Sequence, residues 1–189
     1  MRLVSFMAVE TFLPTIWKQL ETRLHEIESR HKYLSFLIEK RLANEKLLQL
    51  ETMHIISQNS EVDDYLPEKL YSSSSKEKCD FWFKMRNGTE FWMEIKTRPT
   101  NYRKPGHAKA ITNGVDQVIE DIQRLKNVEG NDFRKLILFA FYPLYSDSYT
   151  TFDNVHLKRI SQAIGKTVKS PKIKIKIGPA DFNLYAEEF

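Results

Sequence analysis

The chain has 189 residues, enough for one domain whose core needs no metal or disulfide staple. With 41% apolar and 29% charged residues it reads as globular, and its longest uncharged apolar run, Leu136–Tyr145, is about half of what a membrane-spanning helix requires. A single cysteine, Cys79, excludes an internal disulfide and a cysteine-based metal cage, and the first ten residues make a poor secretory signal, so a cytoplasmic location is expected.

The net charge of +4 is modest, but its placement is uneven. Arg98–Thr112 carries Arg98, Arg103, Lys104 and Lys109 without a carboxylate, and Lys158–Gly178 carries seven basic residues, again without one. Glycine is equally lopsided, with none of the six before Gly88. The pattern predicts a helical N-terminal part and a sheet-containing remainder.

In chain order, Ala8 to about Glu28 and Arg30 to about Ser57 are expected to form two long helices. The second shows one apolar stripe through Leu34, Leu37, Ile38, Leu42, Leu48, Ile55 and Ile56, and another through Phe36, Ala43, Leu47, Leu50 and Met53. Such a helix is sandwiched between layers or lies at a dimer interface. Glu61–Glu77 is a connector, with a short strand near Leu70–Tyr71 the most it offers. Cys79–Met85 and Glu90–Lys96 are aromatic-rich strands joined through Arg86-Asn87-Gly88-Thr89, and Asn-Gly between two such runs signals a hairpin. Asn113–Asn127 is a helix with its apolar face at Val115, Val118, Ile119, Ile122 and Leu125. Lys135–Phe141 is a buried strand, Phe152 to about Ile164 a helix, and Lys172–Ile177 a half-exposed strand whose alternating lysines guard an edge. The fold class is therefore α/β with a mixed sheet.

The hairpin carries the chemistry. Glu94 and Lys96 share one face of their strand, and folding at Asn87-Gly88 places Asp80 opposite roughly residue 95. Two carboxylates and an ammonium then lie within several ångströms. Carboxylates that close repel unless a cation intervenes, and oxygen ligands of this type suit Mg²⁺ or Mn²⁺. Lys96 is then suited to position or deprotonate a water and to offset charge on a phosphate. The plainer alternative is the polar face of an exposed hairpin. Glu94-Ile95-Lys96 is the only carboxylate-x-lysine triplet in the chain.

Asp80, a tight hairpin and then Glu94-Ile95-Lys96 resembles the signature of the PD-(D/E)XK nuclease superfamily, over about residues 30–145. The resemblance implies a restriction-endonuclease-like mixed central β-sheet flanked by helices in a domain of residues 30–189, preceded by an N-terminal helical extension of residues 1–29. It implies Mg²⁺-dependent (or Mn²⁺-dependent) hydrolysis of DNA, with Asp80, Glu94 and the Ile95 carbonyl as metal ligands and Lys96 activating the water. Cys79 stands where the family often has proline. Many members add a glutamate from the first core helix. Glu45, in the middle of the Leu34–Ile56 stripe, is the candidate catalytic and metal residue, with an ion pair to Arg41 as its alternative role. Gln117 sits where one branch of the family has a functional glutamine, but Asp121 replaces the tyrosine that follows there, and Gln117 reads as solvated. From the acid-free loop, Arg98, Arg103, Lys104 and Lys109 are candidate phosphate contacts, Tyr102 a stacking residue and His107 a hydrogen-bond donor. Trp82 and Trp92 read as core. The competing expectations are a nuclease-fold protein that binds nucleic acid or a partner without cutting, and an interaction module built on the N-terminal helices. A homodimer through those helices is expected in either case.

Overall fold

The computed structural model describes residues 2–72, 75–103, 110–128 and 133–189. Helix α1 spans Arg2–His31, and its residues Phe12, Ile16, Leu20 and Leu24, spaced one turn apart, are at most 4% exposed. The single helix expected from Arg30 to Ser57 is instead two, α2 (Tyr33–Lys40) and α3 (Glu45–Ser57). Arg41 turns the chain into the left-handed region at φ 55°, and Asn44 caps α3 by accepting from the Leu47 amide at 3.1 Å. The break is held from outside. The Arg41 guanidinium donates to the Thr100 and Tyr102 carbonyls, the Asn44 amide donates to Thr97 Oγ1, and the Tyr142 hydroxyl donates to the Leu42 carbonyl. The second apolar stripe is accordingly not a buried face, since Phe36 and Leu50 are exposed.

Among the described residues, six strands form one sheet in the order β1-β2-β3-β4-β6-β5: β1 Val62–Pro67, β2 Phe81–Met85, β3 Glu90–Pro99, β4 Phe133–Tyr145, β5 Ile173–Ile177 and β6 Ala180–Glu188. β3 and β4 run parallel, joined by α4 (Ala110–Lys126), and every other neighbouring pair is antiparallel. The β2–β3 hairpin turns at Gly88, whose φ of +89° only glycine adopts freely. β1 and β6 were not expected. β1 is an edge strand exposed on both faces and carries two aspartates and a proline, so it has no alternation to read. β6 lies between β4 and β5 and is buried on both faces, so it has no polar face either. Near Leu70–Tyr71 only an isolated Leu70–Lys78 bridge forms. After β4 the chain makes a helical turn, α5 (Tyr149–Thr151), a π-helical segment Phe152–Leu157 and α6 (Lys158–Ile164).

The molecule is a mixed α/β sandwich. On one face α1, α2 and α3 pack on Phe83, Phe91, Met93, Ile95 and Leu138, and on the other α4 and α6 pack on Trp82, Trp92, Ile137, Phe139 and Phe141. Ile173 and Ile175 face inward from edge strand β5 while Lys174 and Lys176 stay exposed. Among the described residues, no helix is long and apolar enough to cross a membrane.

Candidate active site

Strand β3 runs past the end of β2, because the ladder stops at Phe81–Met93. Extending that register puts Asp80 opposite Glu94, one residue from the expected partner. The Ile95 amide, freed from the ladder, donates to Asp80 Oδ2 at 2.7 Å. A residue in an antiparallel ladder presents its N–H and C=O to the same neighbour, so the Ile95 carbonyl belongs to this flank too. The main chain at Asp80 is fixed twice more: its carbonyl accepts from Gln49 Nε2 at 2.6 Å and from the Glu68 amide at 3.2 Å.

The alternate side chains of β3 mesh with one face of α4. Along β3, Glu94, Lys96 and Arg98 point to that helix, and along α4 Arg124, Asp121, Gln117 and Gly114 come back at spacings of three and four. Arg124 Nε lies 3.6 Å from Glu94 Oε1, Lys96 Nζ lies 3.2 Å from Asp121 Oδ2, and Arg98 Nε donates to Gln117 Oε1. Arg98 passes directly over Gly114, where a Cβ would stand 2.9 Å from Arg98 Cβ and Cγ and 3.3 Å from Phe141. Alanine is favoured over glycine in a helix by about 1 kcal/mol. Gly114→Ala is nevertheless expected to lower the melting temperature, because Arg98 is held at its far end and cannot withdraw. A melting temperature at or above wild type would show that Arg98 yields.

From the other side, α3 brings Glu45, whose Oε2 is 3.2 Å from Lys96 Nζ and whose Oε1 is 2.6 Å from Arg98 Nη1. The ion pair with Arg41 weighed for Glu45 does not form, since Arg41 is engaged by the two carbonyls that hold the α2–α3 break. The Tyr71 hydroxyl donates to Glu94 Oε1, and its ring stacks on Trp92 with centroids 5.7 Å apart.

Burial dominates the electrostatics. Glu94 is 2% exposed, and desolvation, with the Asp80 charge second, raises its carboxyl to about 9. Asp121, equally buried, is raised by desolvation even against Lys96 and Arg124. Burial alone would lower Lys96, but Asp121 and Glu45 outweigh it and lift the ammonium above its usual range. The Cys79 thiol is pushed up to about 12 by burial and then by Glu94.

Asp80, Glu94, Lys96 and Glu45 thus converge. Arg98 does not project from a loop but lies on β3 with its guanidinium turned inward, and Gln117 is its partner rather than a solvated side chain. Tyr102 is half buried against the α4-side core. Arg103 is exposed, pairs with Asp147 at 2.8 Å and lies 4.1 Å over the Tyr145 ring. Lys104, His107 and Lys109 lie outside the described residues. Sequence reasoning gave no role to Asp121, Arg124 or Tyr71. The signal for the first two was present as a second, polar stripe 114-117-121-124 beside the apolar stripe of α4, whereas Tyr71 left none.

Among the described residues, no group of three or more His, Cys, Asp or Glu stands ready to hold a metal ion. Mg²⁺ does not ask for one, since it keeps several waters and is bound through one or two carboxylates plus substrate phosphates. Asp80 and Glu94, two adjacent hard oxygen donors, one of them driven upward by burial and then by the charge of the other, fit that demand. Both Glu45 oxygens, by contrast, are engaged by cations. A cavity of about 490 Å³ lined by Tyr71, Ser72, Ser75, Glu77, Arg124, Asn127 and Val128 opens on the Glu94 flank. Compared with known proteins, the chain matches no family model, no curated protein and no solved structure.

Proposed function

We propose that the chain is a Mg²⁺-dependent (or Mn²⁺-dependent) nuclease that hydrolyses DNA phosphodiester bonds, on a restriction-endonuclease-like fold of the PD-(D/E)XK kind. The observation that carries this reading is the convergence of Asp80, Glu94 and Lys96 where β3 outruns β2, with the carboxylates close enough and buried enough to raise Glu94 to about 9. The order β1-β2-β3 meander, α4 and parallel β4 supports it, with β1 as the meander's first strand.

In this reading Asp80, Glu94 and the Ile95 carbonyl hold the metal. When bound, the metal supplies a Lewis acid and a water acidic enough to attack at neutral pH. Lys96 holds a positive charge against the reacting phosphate and orients the nucleophilic water, and Arg98, anchored on Glu45 and Gln117, adds a second fixed charge at no reorganisation cost. Arg103, with Lys104, His107 and Lys109 from the acid-free loop, would track the DNA backbone and set register rather than sequence. Cutting both strands of a duplex calls for two such centres, which is the argument for a homodimer.

The test is cleavage of duplex, single-stranded and branched DNA with Mg²⁺ or Mn²⁺. Asp80→Ala should abolish the activity, and Lys96→Ala should reduce it by about 10²–10⁴-fold, with circular dichroism unchanged in both. Salt-sensitive DNA binding with no metal-dependent cleavage of any substrate would replace this reading with that of a binder that does not cut.

A further inference from the structure

We propose that Asp121 on α4 and Glu45 on α3 form a two-sided carboxylate clamp that positions Lys96, which makes Asp121 a positioning residue of the site. The proposal rests on the nuclease reading for its purpose, but not for its geometry.

A lysine carries its charge on a flexible four-carbon stem, and holding it in one place costs rotamer freedom. Here Lys96 Nζ is 3.2 Å from Asp121 Oδ2 on one side and 3.2 Å from Glu45 Oε2 on the other, with only 14% of its side chain exposed. An ammonium has three N–H donors. One goes to Glu45 Oε2, Asp121 Oδ2 faces the same ammonium as an ion-pair partner, and donors remain for a water or a phosphate oxygen.

The clamp is itself braced. Asp121 Oδ1 accepts from Arg124, whose Nε is 3.6 Å from Glu94 Oε1. Glu45 Oε1 accepts from Arg98, whose Nε reaches Gln117, one turn before Asp121 on the same helix. Asp121, Lys96, Glu45, Arg98 and Gln117 therefore close a ring that links α3, β3 and α4. A carboxylate serving only as the i,i+3 partner of Arg124 would belong on the solvent side of α4. Asp121 instead sits 2% exposed beside Val118, Ile122 and Leu125. The ring also accounts for Glu45: it faces two cations and acts on the lysine.

Two measurements on the full chain test this. The first is the rate of reductive methylation of Lys96 in metal-free protein, followed by mass spectrometry. Asp121→Asn, which keeps the side-chain volume, is expected to speed it several-fold, and Glu45→Gln, at the more open start of α3, is expected to do the same. The second is steady-state cleavage of duplex DNA with Mg²⁺. Asp121→Asn should lower kcat by about 10–100-fold with KM little changed, and Asp121→Glu, which restores the charge, should recover part of the loss. Unchanged Lys96 reactivity in both variants would overturn the clamp, and so would a wild-type kcat in Asp121→Asn. If the wild-type protein cuts nothing, the nuclease reading fails. The methylation rates alone then decide: faster in the variants supports the clamp, equal rates end it.

Discussion

Glu94→Gln is expected to make the metal-free protein more stable at pH 7 to 8 while it destroys cleavage. The Glu94 carboxyl is raised from its usual 4.5 to about 9 by burial and by Asp80, so the folded chain binds this proton more tightly than the unfolded chain does. Below pH 4.5 both states hold the proton and the group contributes nothing to the balance. Between pH 4.5 and about 9 the unfolded state releases it and the folded state does not, so stability falls by about 1.4 kcal/mol per pH unit. From pH 4.5 to 7 the loss is on the order of 3 kcal/mol. Glutamine cannot ionise, still accepts from Tyr71, and escapes this loss. Urea melts in a chelator should therefore show wild type and Glu94→Gln nearly equal at pH 4.5 and well separated at pH 8, with the variant the more stable. In the proposed nuclease the same substitution also takes away an oxygen offered to the metal and should lower cleavage on the order of 10²–10³-fold, the scale of losing one preorganised electrostatic contact. Equal stability of the two proteins at pH 8 would mean that Glu94 is ionised in the folded chain.

Removing residues 1–31 should leave a chain that does not fold. Phe12, Ile16, Leu20 and Leu24 of α1 pack into the same core as Phe83, Phe91 and Leu184. Burying each is worth about 1.5–3 kcal/mol, so the four together contribute roughly 6–12 kcal/mol, against a total stability of about 5–15 kcal/mol for a domain. Circular dichroism and gel filtration of the shortened chain should report an unfolded or aggregated product. A monodisperse, cooperatively melting fragment would instead mark α1 as an appendage. Since that side of α1 lies against the sheet, helix-mediated pairing of two chains would have to use other residues of α1.

The convergence of Asp80, Glu94 and Lys96 was legible because its geometry is local. Asn87-Gly88 sets the hairpin, period two sets the face, and the register came out one residue away from expectation without moving Asp80 from its neighbours. Glu45 was within reach for an incomplete reason. Helical periodicity carried one helix through residues 41–44, where long-range hydrogen bonds from Arg41, Asn44 and Tyr142 interrupt it. No local pattern encodes those partners. Asp121 carried no readable role, and Gln117 read as solvated, because a helix shows which side is apolar but not which polar side faces protein. β6 was hidden by burial on both faces, which leaves no alternation to read, and its Asp181 and Asn183 are accommodated there by the Tyr149 hydroxyl, a contact made across more than thirty residues of chain. β1 was hidden by exposure.

The two faces of the sheet are unequal in kind. The core on the α1 side gathers apolar side chains from α1, α2, α3 and the sheet, and only the start of α3 reaches the charges, whereas the α4 face interleaves its apolar packing with the Glu94, Lys96 and Arg98 network. Mutational tolerance should split along the same plane. Volume-conserving changes around Ile16 or Leu20 should alter stability alone, and a thermostabilised variant can be sought there without retuning any charge of the network. Changes around Val118 or Ile122 shift the helix that carries Asp121 and Arg124, so on that side robustness and chemistry cannot be optimised independently.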